Sequence, residues 1–214
     1  MIMHKRTPLA AAILTGGRAS RMGGVRKATL AIDGTSVIER QLVALRQVAD
    51  PVFVVTSAQA PGEGGLTIVR DAFPDHGALG GIYTAIVASP RERTIVVACD
   101  MPFLSEMLLE HMAGIDADLV IPRTERGYEP LCAIYSRACV ESIRERLMRG
   151  ALEASHLPEG VRVAEVGPET LAAYDPDGLL FVNVNTPHDY ERAKALLEKR
   201  SKTSRDRIMD ELGP

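Results

Sequence analysis

Leu9-Ala-Ala-Ala-Ile-Leu-Thr-Gly-Gly-Arg-Ala-Ser-Arg-Met-Gly-Gly-Val-Arg-Lys27 joins a short apolar run to a basic, glycine-rich stretch. The run from Leu9 to Leu14 reads as a buried strand. Beyond it, Gly16, Gly17, Gly23 and Gly24 let the backbone turn with positive φ and come close to a ligand, so that a row of N–H groups can face phosphate oxygens. Arg18, Arg21, Arg26 and Lys27 set cations beside it. The spacing is not GxxxxGK[ST], because Ala28 follows Lys27, and it is not GxGxxG. A solvated glycine loop with surface arginines is the plainer reading. Its place directly after a strand favours binding, since open α/β sheets take ligands at the carboxyl ends of their strands.

Outward from this stretch, short apolar runs alternate with helical patterns. Val52 to Val55, Leu66 to Val69, Thr94 to Ala98 and Asp118 to Ile121 read as buried strands. Ser36-Val-Ile-Glu39 is a capping box, and Ile38, Leu42 and Leu45 then recur on one helix face. A second helix lies around Gly80-Gly81 through Ala88, and a third starts near Ser105 and buries Leu108, Leu109 and Met112. Then come a strand at Pro130 to Tyr135, a helix from Arg137 to Met148, a strand at Val161 to Val166 and a last strand ending at Val184. Thr186, Pro187 and Asp189 open a final helix reaching about Arg200. The pattern predicts the α/β class: a Rossmann-like, mainly parallel sheet with helices on both faces. Residues 1–200 read as one domain and 201–214 as a charged, frayed tail.

Composition narrows the function. Lys plus Arg total 25 against 28 Asp plus Glu, a net charge of -3, so the broad basic field of a nucleic-acid binder is missing. The apolar stretch after Lys5 and Arg6 is too short for a signal core of 7 to 15 residues or a membrane span of roughly 20. Cys99, Cys132 and Cys139 are odd in number and lack CxxC spacing, which speaks against a disulfide scaffold or thiolate zinc site. Cytoplasmic location, with no nucleic-acid or membrane partner, is the simplest expectation. Cys99 and Cys132 read as buried hydrophobes in strands, the histidines as surface or capping residues, and no GxSxG nucleophile elbow is present.

Two carboxylates stand out. Asp100 follows the apolar strand Ile95 to Cys99, so it should emerge at the ligand edge. A hard oxygen ligand there suits Mg²⁺, which takes one or two carboxylates plus substrate phosphates; a helix cap is the alternative. Asp71 follows the third strand and stands at a base pocket or caps the turn Asp71-Ala-Phe-Pro.

Leu14-Thr-Gly-Gly17 with Arg21-Met-Gly23 and Lys27 resembles the signature of the molybdenum cofactor guanylyltransferase family. Asp71-Ala-Phe-Pro-Asp75 with Gly77-Ala-Leu-Gly-Gly81, Cys99-Asp-Met-Pro102, Glu129-Pro-Leu131 and Asn183-Val-Asn-Thr-Pro187 follow the same family in order and spacing. The likeness covers the chain to about Arg200. Sister families that use CTP or sugar phosphates share the loop, but Gly16-Gly17 and the Asn-Val-Asn-Thr-Pro ending resemble the guanylyl branch. One departure is Arg26, where the family commonly has Asp.

The resemblance implies a fold of the nucleotide-diphospho-sugar transferase type and transfer of GMP from GTP to the terminal phosphate of molybdopterin. It implies catalytic roles for Lys27, Arg21 and Asp100, with Mg²⁺ on Asp100. Nucleotide binding falls to Leu14, Thr15, Gly16, Gly17, Lys27, Asp71, Gly80 and Asp100, and acceptor binding to Asn183 and Asn185, only one of which should face the site. A carboxylate at Asp71 can accept N1–H and N2–H of guanine, a pattern adenine lacks. The turn Gly77 to Gly81 either offers N–H groups to the nucleotide or serves packing. Other cofactor-biosynthesis proteins and recipient molybdoenzymes follow as partners. A different nucleotidyltransferase, or a non-catalytic GTP or cofactor carrier, is the alternative.

Overall fold

Along Leu9–Thr15 (β1) successive side chains pass to opposite faces of a sheet. Leu9, Ala11 and Ile13 pack into one apolar layer and Ala10, Ala12 and Leu14 into the other. A strand buried on both sides needs helices on both sides, and the computed structural model supplies them. It describes residues 8–15, 21–22, 25–26, 31–32, 34–57, 66–184, 188–189 and 191–196.

After β1 come two small antiparallel ribbons, β2 (Arg21–Met22) with β3 (Val25–Arg26), and β4 (Ala31–Ile32) with β5 (Thr35–Ser36). There follow α1 (Val37–Val48), β6 (Val52–Thr56), β7 (Thr67–Arg70), α2 (Gly77–Ala88), β8 (Arg93–Ala98) and α3 (Glu106–Ala113). The remaining elements are β9 (Leu119–Thr124), β10 (Gly127–Tyr128), β11 (Cys132–Ser136), α4 (Cys139–Met148), β12 (Val163–Val166) and α5 (Pro168–Tyr174), with residues 191–196 again helical. The main sheet has eight strands, ordered β10-β9-β11-β8-β1-β6-β7, with β12 also on β9. β1, β6, β7 and β8 pair in parallel, and β11 runs antiparallel to both β8 and β9. α1, α3 and α5 cover one face, and α2 and α4 the other. The mainly parallel sheet with two helical layers is the architecture the alternation predicts.

The capping box is present: Ser36 Oγ accepts from the Glu39 N–H at 3.3 Å, and Glu39 Oε2 accepts from the Ser36 N–H at 2.8 Å. The predicted face of the helix it starts meets the core, with Ile38, Leu42 and Leu45 in one apolar cluster. Val37, Gln41, Ala44 and Leu45 are its buried residues, whereas Ile38 and Leu42 are half-buried. The strand expected at Leu66 to Val69 forms as β7, but at the sheet edge and only half-buried.

The strand expected to end at Val184 does not form. Leu179 and Val184 instead pack with Val37 and Phe103, and the Val182 N–H is spent on a turn to the Leu179 carbonyl. That segment is held from behind by Asp175, whose two carboxylate oxygens accept the Leu179 and Leu180 N–H groups at 2.8 Å each. α5 is absent from the sequence reading, although Pro168 at its start is a helix-opening signal. Thr186 and the chain beyond residue 196 lie outside the described residues. Among the described residues no helix is long and apolar enough to cross a membrane.

Candidate nucleotide site at the switch point

From β1 the chain moves to β6 and β7 on one side, then returns as β8 on the other. Connections leaving in opposite directions open a crevice at the carboxyl ends of β1 and β8, the position where α/β sheets hold ligands. The start of the glycine-rich stretch and Asp100 both fall there. A backbone bond ties the two exits together, the Cys99 N–H donating to the Leu14 carbonyl at 3.1 Å. Thr15 closes the other side: its hydroxyl donates to the Val55 carbonyl at 3.3 Å, while the Thr56 hydroxyl donates to the Thr15 carbonyl at 3.2 Å.

Asp100 lies on the turn that ends β8, half-buried, as the strand-end reading predicts. Three successive grips hold that turn. Nε2 of Gln41, on α1, donates to the carbonyls of Ala98 at 2.6 Å and Met101 at 3.0 Å, and the Val184 N–H donates to the Asp100 carbonyl at 2.8 Å. Gln41 has no solvent exposure. Sequence reasoning missed it, although a polar residue at a position where the helical period calls for an apolar one is a signal. Cys99, expected inside a strand, sits in this turn and is half-buried, while Cys132 is buried in β11 and its thiol is pushed up to about 12 by burial.

Asp71 stands at the end of β7. Its Oδ1 accepts from the Phe73 N–H at 2.9 Å and from the Thr84 hydroxyl at 2.8 Å, which is the turn-capping role. The carboxylate is therefore fixed, and Oδ2 is the oxygen left for a ligand. This narrows the sequence expectation, because two of the roughly four acceptor positions of the group are already used. Three strand spacings, roughly 14 Å, separate the ends of β7 and β8.

Gly80 and Gly81 serve close packing. A Cβ on Gly80 would lie 2.4 Å from the Phe73 carbonyl oxygen, and one on Gly81 would lie 2.9 Å from Leu14 Cδ1. The Gly80 N–H is directed within the helix, to the His76 carbonyl at 3.4 Å. Of the two sequence readings for Gly77 to Gly81, the packing one describes Gly80. Leu14 likewise contributes a buried side chain against Gly81 and a carbonyl to Cys99.

On the far side of Asp100, β11 begins at the ligand edge because it runs backwards. The Leu131 carbonyl accepts from the Ala98 N–H at 3.0 Å, so the Glu129-Pro130-Leu131 lead-in flanks the Asp100 turn. Glu129 is half-buried. Burial pushes its carboxyl up, against a smaller opposing pull from the Thr124 hydroxyl 3.4 Å away. Asn183 is exposed next to the Val184 tether, which brings it beside the same turn. It lies on an irregular segment rather than on the expected strand. Gly16, Gly17, Lys27 and Asn185 lie outside the described residues; Arg21 is described only as backbone, in β2.

Residues 11–163 match the MobA-like NTP transferase domain. The molybdenum cofactor guanylyltransferase of Desulfosudis oleivorans is 33% identical over 190 residues, covering 87% of this chain and 94% of that protein. A probable molybdenum cofactor guanylyltransferase of Methanosarcina mazei is 35% identical over 208 residues, covering 88% and 91%. Among solved structures, molybdopterin-guanine dinucleotide biosynthesis protein A of Archaeoglobus fulgidus superposes with a TM-score of 0.73 at 26% identity, covering 89% of this chain and 99% of that one. The sheet order and both helical layers accord with the nucleotide-diphospho-sugar transferase type of fold. With most of its length matched in this way, the chain belongs to the MobA-like NTP transferase family and is a nucleotidyltransferase.

Proposed function

We propose that the chain transfers GMP from GTP to the terminal phosphate of molybdopterin, releasing pyrophosphate. The observation that carries this reading is the Asp100 turn, clamped at the switch point between the exit of β1 and the segment bearing Asn183. In the reaction an acceptor phosphate oxygen bonds to the α-phosphorus of GTP. The bond from that phosphorus to the bridging oxygen breaks, and pyrophosphate leaves with the electron pair. Lys27, Arg21 and the N–H groups of the stretch from Gly16, including Gly17, offset the negative charge that builds up on the phosphates. Asn183 and Asn185 stand on the acceptor side. No protein nucleophile is needed, so catalysis is positioning and electrostatics.

Asp100 fits a divalent cation of the Mg²⁺ kind. It is one hard oxygen donor, and among the described residues no group of three His, Cys, Asp or Glu forms a metal cage, which accords with an ion carried mostly by substrate phosphates and water. When bound, such an ion supplies charge neutralisation on the phosphates. The work belongs to the cytoplasm, where GTP and cofactor intermediates meet, with cofactor-biosynthesis proteins and molybdoenzymes as the recipients.

Pyrophosphate release measured with Mg²⁺ and each of GTP, CTP, ATP and UTP, with and without molybdopterin, tests the reading. Release with GTP only when the pterin is present is the expected result. Preference for CTP, or tight GTP binding with no release, overturns it.

Asp71 gives a second, independent check on the base. Asp71→Asn keeps an oxygen for Phe73 and Thr84 but turns an NH₂ donor towards the nucleotide, where guanine presents its own donors. Discrimination between GTP and ATP is expected to fall about tenfold or more, with little loss of stability. Unchanged selectivity in a kcat/KM comparison would confine Asp71 to the turn.

A further inference from the structure

We infer that Gln41 is a positioning residue, the brace that sets the Asp100 carboxylate for the nucleotide-bound cation; this rests on the reading of Asp100 given above. The two N–H bonds of one amide diverge to carbonyls on either side of Cys99 and Asp100, at 2.6 Å to Ala98 and 3.0 Å to Met101. Gripped at both ends, the turn has little freedom to swing its carboxylate.

The cost of keeping an amide here shows that space-filling is not its purpose. Gln41 is fully buried, and its Oε1 has no hydrogen-bond partner among the described residues. A buried oxygen without a partner is destabilising, a cost that a Leu or Met at this apolar position would avoid. The amide also cannot be flipped, because Oε1 would then face two carbonyl oxygens. What the side chain provides is a pair of donors to the Asp100 turn.

The brace has a second end. Gln41 sits five residues after Ser36, the N-cap of α1, and the ribbons leading into that cap carry the chain on from the glycine-rich stretch. A tilt of α1 moves Gln41, and through it the Asp100 turn. The two loops at the crevice are joined twice, by Leu14 to Cys99 through the backbone and by Gln41 to the Asp100 turn through a side chain.

Gln41→Met removes both donors at nearly the same length. The test is binding of guanosine 5′-(α,β-methylene)triphosphate to the full chain with and without Mg²⁺, by titration calorimetry, alongside kcat and KM for GTP. In Gln41→Met the metal-free affinity should stay within about twofold of wild type while the Mg²⁺-dependent gain shrinks at least about fivefold; kcat should fall about tenfold or more with KM within about threefold. A residue that only stabilised the fold would weaken both titrations together and leave the Mg²⁺ gain intact, and that outcome overturns the proposal. Should Gln41→Met not fold, Gln41→Asn keeps the amide but draws its donors back by one methylene, and the same loss of Mg²⁺ gain is expected. A wild-type chain that binds the analogue with no Mg²⁺ effect would instead sink the metal role of Asp100 and take this proposal with it. Wild-type gain preserved in either variant rejects Gln41 alone.

Discussion

Asp100→Asn is expected to lower GTP-dependent pyrophosphate release by about 10²–10³-fold, the magnitude found when one preorganised electrostatic group is lost from a transition state, because the variant lacks the anionic ligand that would hold the cation. The substitution keeps size and shape and removes only the charge and one acceptor oxygen. The turn itself is held through backbone carbonyls, those of Ala98 and Met101 by Gln41 and that of Asp100 by Val184, and none of these bonds involves the Asp100 side chain. The melting temperature should therefore stay within about 3 °C of wild type. Such a split, activity lost and stability kept, separates a chemical role from the helix-cap role that a strand-end Asp often has. A variant that retains wild-type turnover with Mg²⁺ still required would take the cation off Asp100.

Gly80→Ala should do the reverse, striking stability first. The new methyl would come 2.4 Å from the Phe73 carbonyl oxygen and 2.9 Å from Phe73 Cβ, distances that no rotamer change can relieve because the nearer atom is backbone. The turn it would push is tightly tied: the Phe73 N–H donates to Asp71, the His76 N–H to the Phe73 carbonyl at 3.0 Å, and the Ala72 N–H to the Thr84 hydroxyl at 3.0 Å. Overpacking of this kind costs about 1–3 kcal/mol, or about 2–12 °C in melting temperature for a chain of this size. Asp71 belongs to the displaced turn, so affinity for GTP should drop in the same variant even though Gly80 directs its own N–H into the helix. Thermal unfolding at the wild-type temperature would show that the turn yields freely and that the close approach is not what requires glycine.

Local signals read well where their cause is local. The capping box at Ser36 and Glu39 involves residues three apart, and the alternation of β1 depends on nothing but the strand's own geometry; both are present as the sequence predicts. The placement of Asp100 at the ligand edge follows from the apolar run before it. What escaped was set by distant partners. Gln41 looks like any polar helix residue until its acceptors, 57 and 60 positions away, fold against it. The segment 179–184 has a strand-like composition, yet its pattern is overruled by the tether to Asp100 and the apolar contacts of Leu179 and Val184 with Val37 and Phe103. α5, seven residues long, has too few positions for a periodic signal. The face of α1 was legible in Ile38, Leu42 and Leu45, which share one apolar cluster, whereas the burial of Ala44 beside them has too weak a hydrophobic signal to read.

The reversed strand β11 divides the rim of the sheet into two independently built districts. Between β7 and β8 every strand delivers its exit to the rim, and the exits of β1, β7 and β8 feed connections that carry α1, α2 and α3, so a change in length there disturbs the packing of a whole layer. Past β8 the rim is served by the tight hairpin from β9 to β10 and the short return into β11, anchored by strand pairing and by Tyr128 and Leu131 on the core. The exposed hairpin tip at Glu125 and Arg126 can thus be lengthened or recharged at small cost, while the half of the rim formed by β1, β6, β7 and β8 is constrained by the core beneath it.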